Sequence, residues 1–175
     1  HKGTNHTFFR VDSSQEIKRI DVKSIDLDYK IIVISDYDKG AVSNLLIDDV
    51  MAIWNCPIFI DTKKTDLNRF DRIYPASKIF IKINEAESKK VTSFHRNLIV
   101  TLGKDGARFK GELYSCPHVN VSDVCGAGDT FLASLVFEYL RTKKIPSAIQ
   151  FAIKASTVTV QHFGCYAPTL EEICG

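Results

Sequence analysis

No apolar run in these 175 residues approaches the ~20 needed to cross a bilayer as a helix, and no signal peptide is visible, so a cytoplasmic setting is expected. A charge surplus is missing too. Lys and Arg number 23 against 21 Asp and Glu, and the basic residues come only in short pairs such as Lys63-Lys64, Lys89-Lys90 and Lys143-Lys144, which gives no electrostatic case for nucleic acid. Cysteines are few. The five are odd in number and contain no C-x-x-C, pointing to a reduced compartment without a zinc site, and Cys116 and His118 come without a second pair of metal ligands. Repeats, linkers and low-complexity segments are absent, so one domain is expected over 1–175. With 45% hydrophobic and 25% charged residues, the chain belongs to the ordinary globular class and can bury one core. Two common nucleotide signatures are lacking: no G-x-x-x-x-G-K-[ST] occurs, and G-A-G-D-T-F at 126 to 131 puts Phe131 where a G-x-G-x-x-G fingerprint needs its third glycine.

What is present alternates between strand and helix patterns. Ile31 to Ser35 is a β-branched run ending in Asp36, and Pro57 to Ile60 is another ending in Asp61; both read as buried parallel strands. Between them, Ala41 to Trp54 places Val42, Leu45, Leu46, Val50, Ile53 and Trp54 on one helical face, completing a βαβ unit. Ile79 to Ile83 and Leu98 to Leu102 read as two more buried strands. Gly106 to Phe109 and Leu113 to Ser115 read as a hairpin around Lys110-Gly111-Glu112. The last long helix is expected from Ile145 to His162, begun near Pro146 and stopped before Gly164. In open α/β sheets ligands bind outside the carboxyl ends of the strands, which puts Asp36, Asp61, Lys63, Asn84 and Thr101 on the functional edge, where each could equally serve as a cap.

The segment D-V-C-G-A-G-D-T-F at 123 to 131 carries the most chemistry. The apolar run from Phe131 to Leu140 has helical spacing and needs the turn at Gly126 to Gly128 as its N-terminus. Unpaired amides point out of such a turn, glycine lets a phosphate approach them closely, and Asp129 sits beside the same spot with a carboxylate able to take a proton. The alternative is a plain tight turn with Asp129 as a first-turn acid that complements the helix dipole. Asn84 and Glu87, at i and i+3, share a face and could supply oxygen ligands to magnesium or simply cap a short helix.

The segment at 123 to 131 resembles the second signature of the ribokinase-like (PfkB) sugar kinases, D-T-x-G-A-G-D, with Cys125 where threonine is usual. Further matches lie upstream in the family's order: S-D-Y-D-K-G at 35 to 40, I-D-T-K-K-T-D-L-N-R-F at 60 to 70, N-E-A-E at 84 to 87 and V-T-L-G-K-D-G-A at 100 to 107. The first two are most similar to the heptose-7-phosphate kinases, including the kinase half of bifunctional ADP-heptose synthases. The resemblance implies a three-layer α/β/α fold with a mostly parallel sheet, of which the chain holds the C-terminal, nucleotide-binding portion. T-F-F-R-V-D at 7 to 12 is similar to a strand returning from the substrate lid, so 1–25 is expected to be a remnant of that side, with the glycine-rich sugar half lying outside the chain.

By resemblance, Asp129 is the catalytic base and the amides of Gly126, Ala127 and Gly128 form the anion hole. Asn84 and Glu87 tune a magnesium and phosphate site. Thr101, Gly103 and Gly106 belong to a loop along the ATP phosphates and ribose, Gly164 closes the region flanking adenine, and Lys63 could reach a phosphate. Asp36, Lys39 and Asp123 fall to the sugar side. The implied activity is ATP-dependent phosphorylation of a sugar or sugar-phosphate hydroxyl with Mg2+, without nucleic acid or membrane, in a homodimer or with a complementing N-terminal half. The rival reading is a non-catalytic nucleotide-binding or regulatory module. In this chain Ile153 stands where relatives often have Asn, and Cys165-Tyr166 replaces small residues after the glycine.

Overall fold

Four apolar runs become parallel neighbours. β1 (Ile32–Asp36), β2 (Ile58–Thr62), β3 (Ile79–Asn84) and β4 (Leu98–Thr101) pair in sequence order, and the hairpin β5 (Ala107–Phe109) and β6 (Glu112–Tyr114) adds two antiparallel strands to a six-stranded sheet. The structure is a computed structural model and describes Val22, residues 29–71 and residues 78–175. The strand expected at 7 to 12 and the rest of the expected lid remnant, Val22 apart, lie outside the described residues.

Alternation along the strands divides the core in two. Ile58, Ile60, Ile79, Ile81 and Ile83 face one side, where α1 (Asn44–Ile53) supplies Leu46, Ile47 and Val50. Phe59, Phe80 and Ile99 face the other, where α3 (Ala127–Thr142) supplies Phe131, Leu132 and Leu135, and α4 (Ile145–Thr159) supplies Ala148, Ile149, Ala152 and Ile153. The result is the expected three-layer α/β/α arrangement. Phe59 and Phe80 stack at 4.9 Å between centroids, and Tyr139 of α3 meets Phe59 edge-on at 5.2 Å. Aromatic pairs of this kind add about 0.5–1.5 kcal/mol beyond burial, so they fasten α3 over β2 and β3 and thereby fix where its N-terminus points.

Three local expectations are corrected. The buried stripe of α1 runs through Leu46, Ile47, Val50 and the following Trp54, whereas Leu45 and Ile53 are exposed, because packing against the isoleucine face of the sheet covers only part of the helix's wider apolar surface. β1 is not buried on both faces: it pairs with β2 alone among the described residues, and its Val33 is 48% exposed. α4 stops at Thr159 rather than His162, since the amides of Gln161 and His162 turn back to Val158 and Thr159 in tighter i to i+3 bonds.

Gly106 joins β4 to the hairpin at φ +96°, and a Cβ there would overlap the Tyr114 carbonyl oxygen and crowd the Cys116 amide. Both obstacles are backbone. Gly106→Ala should therefore destabilise the fold by about 3 kcal/mol or more, a combined effect of strained φ and displaced strand, read as a lower urea midpoint with unchanged slope.

Candidate functional site

Residues at the carboxyl ends of β1, β2 and β3 line a polar cleft of about 150 Å³, among them Asp36, Asp61, Lys63, Lys82, Asn84 and Glu87. Side-chain parity decides which way they point. Lys82 shares the parity of Phe80, and Asp61 that of Phe59, so both face the α3 side of the sheet. They are register partners across β2 and β3, and Lys82 Nζ donates to Asp61 Oδ2 at 2.7 Å with side-chain exposures of 7% and 19%. Burial pushes the Asp61 carboxyl above its usual value of 3.8; Lys82 opposes this, while the nearby charges of Glu87 and Asp129 add to the rise. Three carboxylates and one buried lysine thus share one electrostatic neighbourhood. Lys82 was not singled out from sequence, although a lone lysine in the apolar run I-F-I-K-I-N was the available signal.

The N-terminus of α3 opens onto this neighbourhood. Gly126 takes the cap position in the left-handed region at φ +76°, and no side chain caps the helix. Ala127 N–H turns back to Val124 and Thr130 N–H reaches Gly126, but the Gly128 and Asp129 amides meet no acceptor among the described residues. A Cβ on Gly128 would lie 3.2 Å from Lys82 Nζ, so the lysine reaches right up to the turn. Asp129 is exposed in the first helical turn. Uncapped amides, the helix dipole and a lysine head converge on one point, which suits an anion. Ala127 contributes differently: its carbonyl accepts from Ser156 Oγ at 3.1 Å and ties α3 to α4.

Asp36 is 3% exposed and its oxygens are occupied: Oδ1 accepts the Asp38 amide, while Oδ2 accepts Thr62 Oγ1 at 2.9 Å and lies 3.1 Å from Lys64 Nζ. Burial pulls the Lys64 pKa down, but the hydrogen bonds and charges of Asp38 and Asp36 together outweigh it and leave the ammonium more basic than usual. These contacts stitch the β1 and β2 ends together. Lys39 is exposed on the neighbouring turn and does not line the cleft. Lys63 lines it, with Nζ 4.8 Å from the Tyr37 ring centroid.

Asn84 and Glu87 form a reciprocal capping box at α2 (Glu85–Ser88): Glu87 N–H donates to Asn84 Oδ1 at 2.8 Å, and Asn84 N–H to Glu87 Oε2 at 2.7 Å. The cap holds Glu87 at the cleft wall. Among the described residues no three His, Cys, Asp or Glu side chains gather into a metal cage. The donor set fits a magnesium ion that keeps most of its water and arrives with phosphate oxygens, since that ion takes only one or two carboxylates from the protein and suits their hard oxygens.

Thr101 ends β4 and donates Oγ1 to the Ile83 carbonyl at 3.3 Å, while Gly103, at φ +58°, opens a 3-10 turn into free space. Asp123 bridges two loops, with Oδ1 accepting the Cys125 amide and Oδ2 the Gly164 amide, each at 3.0 Å. Those two bonds hold its carboxyl below the usual 3.8. A depressed acid contributes stability above its unfolded pKa and loses it as pH falls through the folded one. Protection factors of the Cys125 and Gly164 amides, taken relative to intrinsic exchange at each pH, should therefore be high near neutrality and fall as the pH is taken below 3.8, a step that Asp123→Ala should abolish.

Fold and site together define the class: an α/β protein whose parallel strands deliver charged side chains to the uncapped N-terminus of a helix. The profile of the pfkB family of carbohydrate kinases matches residues 80–173, more than half of the chain, and the chain belongs to that family. The bifunctional protein HldE of a Nitratiruptor species is 33% identical in an alignment covering 83% of this chain and 35% of the relative. The chain thus spans about a third of the length of the curated relatives it matches. In fold it is similar to the nucleoside kinase of Methanocaldococcus jannaschii, with a TM-score of 0.64, 17% identity and coverage of 86% and 56% of the two chains. It is also similar to Arabidopsis thaliana ribokinase complexed with ribose and ATP, with a TM-score of 0.61, 20% identity and coverage of 83% and 55%. Among the described residues, no helix is long and apolar enough to cross a membrane.

Proposed function

We propose that this chain is the nucleotide-handling portion of an ATP-dependent carbohydrate kinase that phosphorylates a sugar or sugar-phosphate hydroxyl, heptose phosphates being the first to test. The observation that carries it is the pair of amides at Gly128 and Asp129, which meet no acceptor among the described residues, on a turn that the buried head of Lys82 reaches at Gly128. Hydrogen bonds to a charged group contribute about 1.5–3 kcal/mol each, so two amides and one ammonium form a strong seat for a transferring phosphoryl group. Asp129 projects from the same turn and takes the proton of the attacking hydroxyl. Magnesium, held near Glu87 with the phosphates, would offset charge on the nucleotide.

Membership of the pfkB family and the ATP-complexed ribokinase neighbour support ATP as donor. Similarity to the HldE proteins, together with the D-Y-D-K-G and D-T-K-K-T-D segments, supports a heptose phosphate as acceptor. Residues 1–175 are read as one domain, completed on the sugar side by chain that the longer relatives possess. Lys63, Thr101, Gly103, Gly106 and Gly164 are assigned to the nucleotide, and Asp36, Lys39 and Asp123 to shaping the sugar side.

ADP release by the complete protein, measured over a panel of sugars and sugar phosphates that includes heptose 7-phosphates, tests the assignment. A sugar-dependent rate is expected. Nucleotide binding without stimulation by any sugar would instead identify a nucleotide-binding or regulatory module.

A further inference from the structure

Two thiols 40 positions apart meet at the rim of the anion turn. Cys125 Sγ and Cys165 Sγ lie 3.2 Å apart, both residues are exposed, and between their loops runs the Asp123 bridge to the amides of Cys125 and Gly164. The fit around Gly126 is close, since a Cβ there would touch Cα, Cβ and Sγ of Cys165, each at 3.5 Å. The other cysteines are placed differently. Cys116 is half-buried with its sulfur 3.2 Å from Thr157 Oγ1, and Cys56 is half-buried at the opposite end of the sheet beside Ile32. Cys174 is exposed at the end of α5 (Leu170–Cys174).

We propose that Cys125 and Cys165 are a redox pair that closes into a reversible disulfide over the Gly126 turn, with a peroxide or an exchanging disulfide as oxidant. With hydrogen peroxide, one thiolate attacks a peroxide oxygen, the O–O bond breaks and the departing hydroxide is protonated to water. The resulting sulfenic acid is attacked at sulfur by the second thiolate. The S–S bond forms, the S–O bond breaks, and a second water leaves. Two thiols have lost two hydrogens and the peroxide has become two waters.

Bond formation requires the sulfurs to approach by about 1.2 Å, from the 3.2 Å contact to the ~2.05 Å of a disulfide. The Asp123 bridge resists gross rearrangement of the two loops, so the movement falls on the cap residue that directly follows Cys125. Gly126 sets the direction of the Gly128 and Asp129 amides, and displacements near 1 Å in such a site cost up to ~10²-fold. The oxidised chain should hold the turn more rigidly and bind phosphate at least tenfold more weakly. This last consequence rests on the kinase reading above; the bond itself does not.

The test treats the chain with hydrogen peroxide or a glutathione redox buffer and follows intact mass, cysteine-peptide mapping, hydrogen exchange over 126–129 and Mg-ATP affinity. The expected result is loss of the mass of two hydrogens, a Cys125–Cys165 cross-link reversed by dithiothreitol, slower exchange at the turn and at least a roughly tenfold loss of affinity. Cys165→Ser should show none of these. Cross-links among other cysteines in preference to this pair, or a Cys125–Cys165 bond that leaves both exchange and affinity unchanged, would overturn the proposal. If the reduced chain binds no Mg-ATP, the kinase reading fails, while mass and exchange still decide the redox pair.

Discussion

Turnover of the complete protein, on the proposed kinase assignment, should fall by roughly 10²-fold or more in Asp129→Asn, with ATP affinity within a few-fold of the parent. The substitution keeps the shape of the side chain and its place in the first turn of α3 but removes the proton acceptor. The Gly128 and Asp129 amides, which are backbone, remain. Loss confined to kcat is therefore the signature of a base, whereas parallel loss of ATP affinity would mean that the carboxylate acts through metal or nucleotide. Near-normal turnover would end the assignment.

The second large effect is expected at Lys82. Lys82→Met keeps much of the side chain's volume but deletes the ammonium that sits against Gly128, so Mg-ATP affinity should drop roughly 10- to 100-fold, the equivalent of one charged hydrogen bond. Stability should change as well, with a definite sign in pH. Asp61 is left mostly buried within the influence of the Glu87 and Asp129 charges, and burial already lifts its pKa above 3.8 with Lys82 as the chief opposing influence. Without the lysine the carboxyl rises further. A raised acid contributes stability below its unfolded pKa and loses it as pH climbs through the folded value, so the variant should approach the parent near pH 3.8 and fall behind it toward neutrality. At neutral pH the loss should be roughly 3 kcal/mol, the scale for orphaning one member of a buried pair. A thermal series across that range checks it; a pH-independent offset would show that Lys82 acts by packing alone.

Much of this architecture was legible because parallel strands buried on both faces leave continuous apolar runs, and the polar residue ending each run marks the ligand edge. Asp36, Asp61 and Asn84 were found in that way. The same habit hid Lys82: reading I-F-I-K-I-N as one run notes the strand and passes over its charged residue, whose meaning depends on parity with Phe80 and on which helix covers that face. Register across β2 and β3 was equally invisible, so the Lys82–Asp61 pair could not be anticipated. The face of α1 was misplaced because Leu45 and Ile53 widen its apolar surface beyond the stripe that the sheet covers, and only packing shows which part is buried. Contacts between distant loops carry no periodic signal, which is why Asp123 was read by position in a motif rather than as the bridge between Cys125 and Gly164.

Phosphate is expected at the N-terminus of α3 against Lys82. The most direct measurement is a crystal structure of the chain with a non-hydrolysable Mg-ATP analogue. The terminal phosphate should lie about 3 Å from the Gly128 and Asp129 amides and within reach of Lys82 Nζ. A nucleotide bound with its phosphates elsewhere on the sheet edge, leaving those amides to water, would contradict the account.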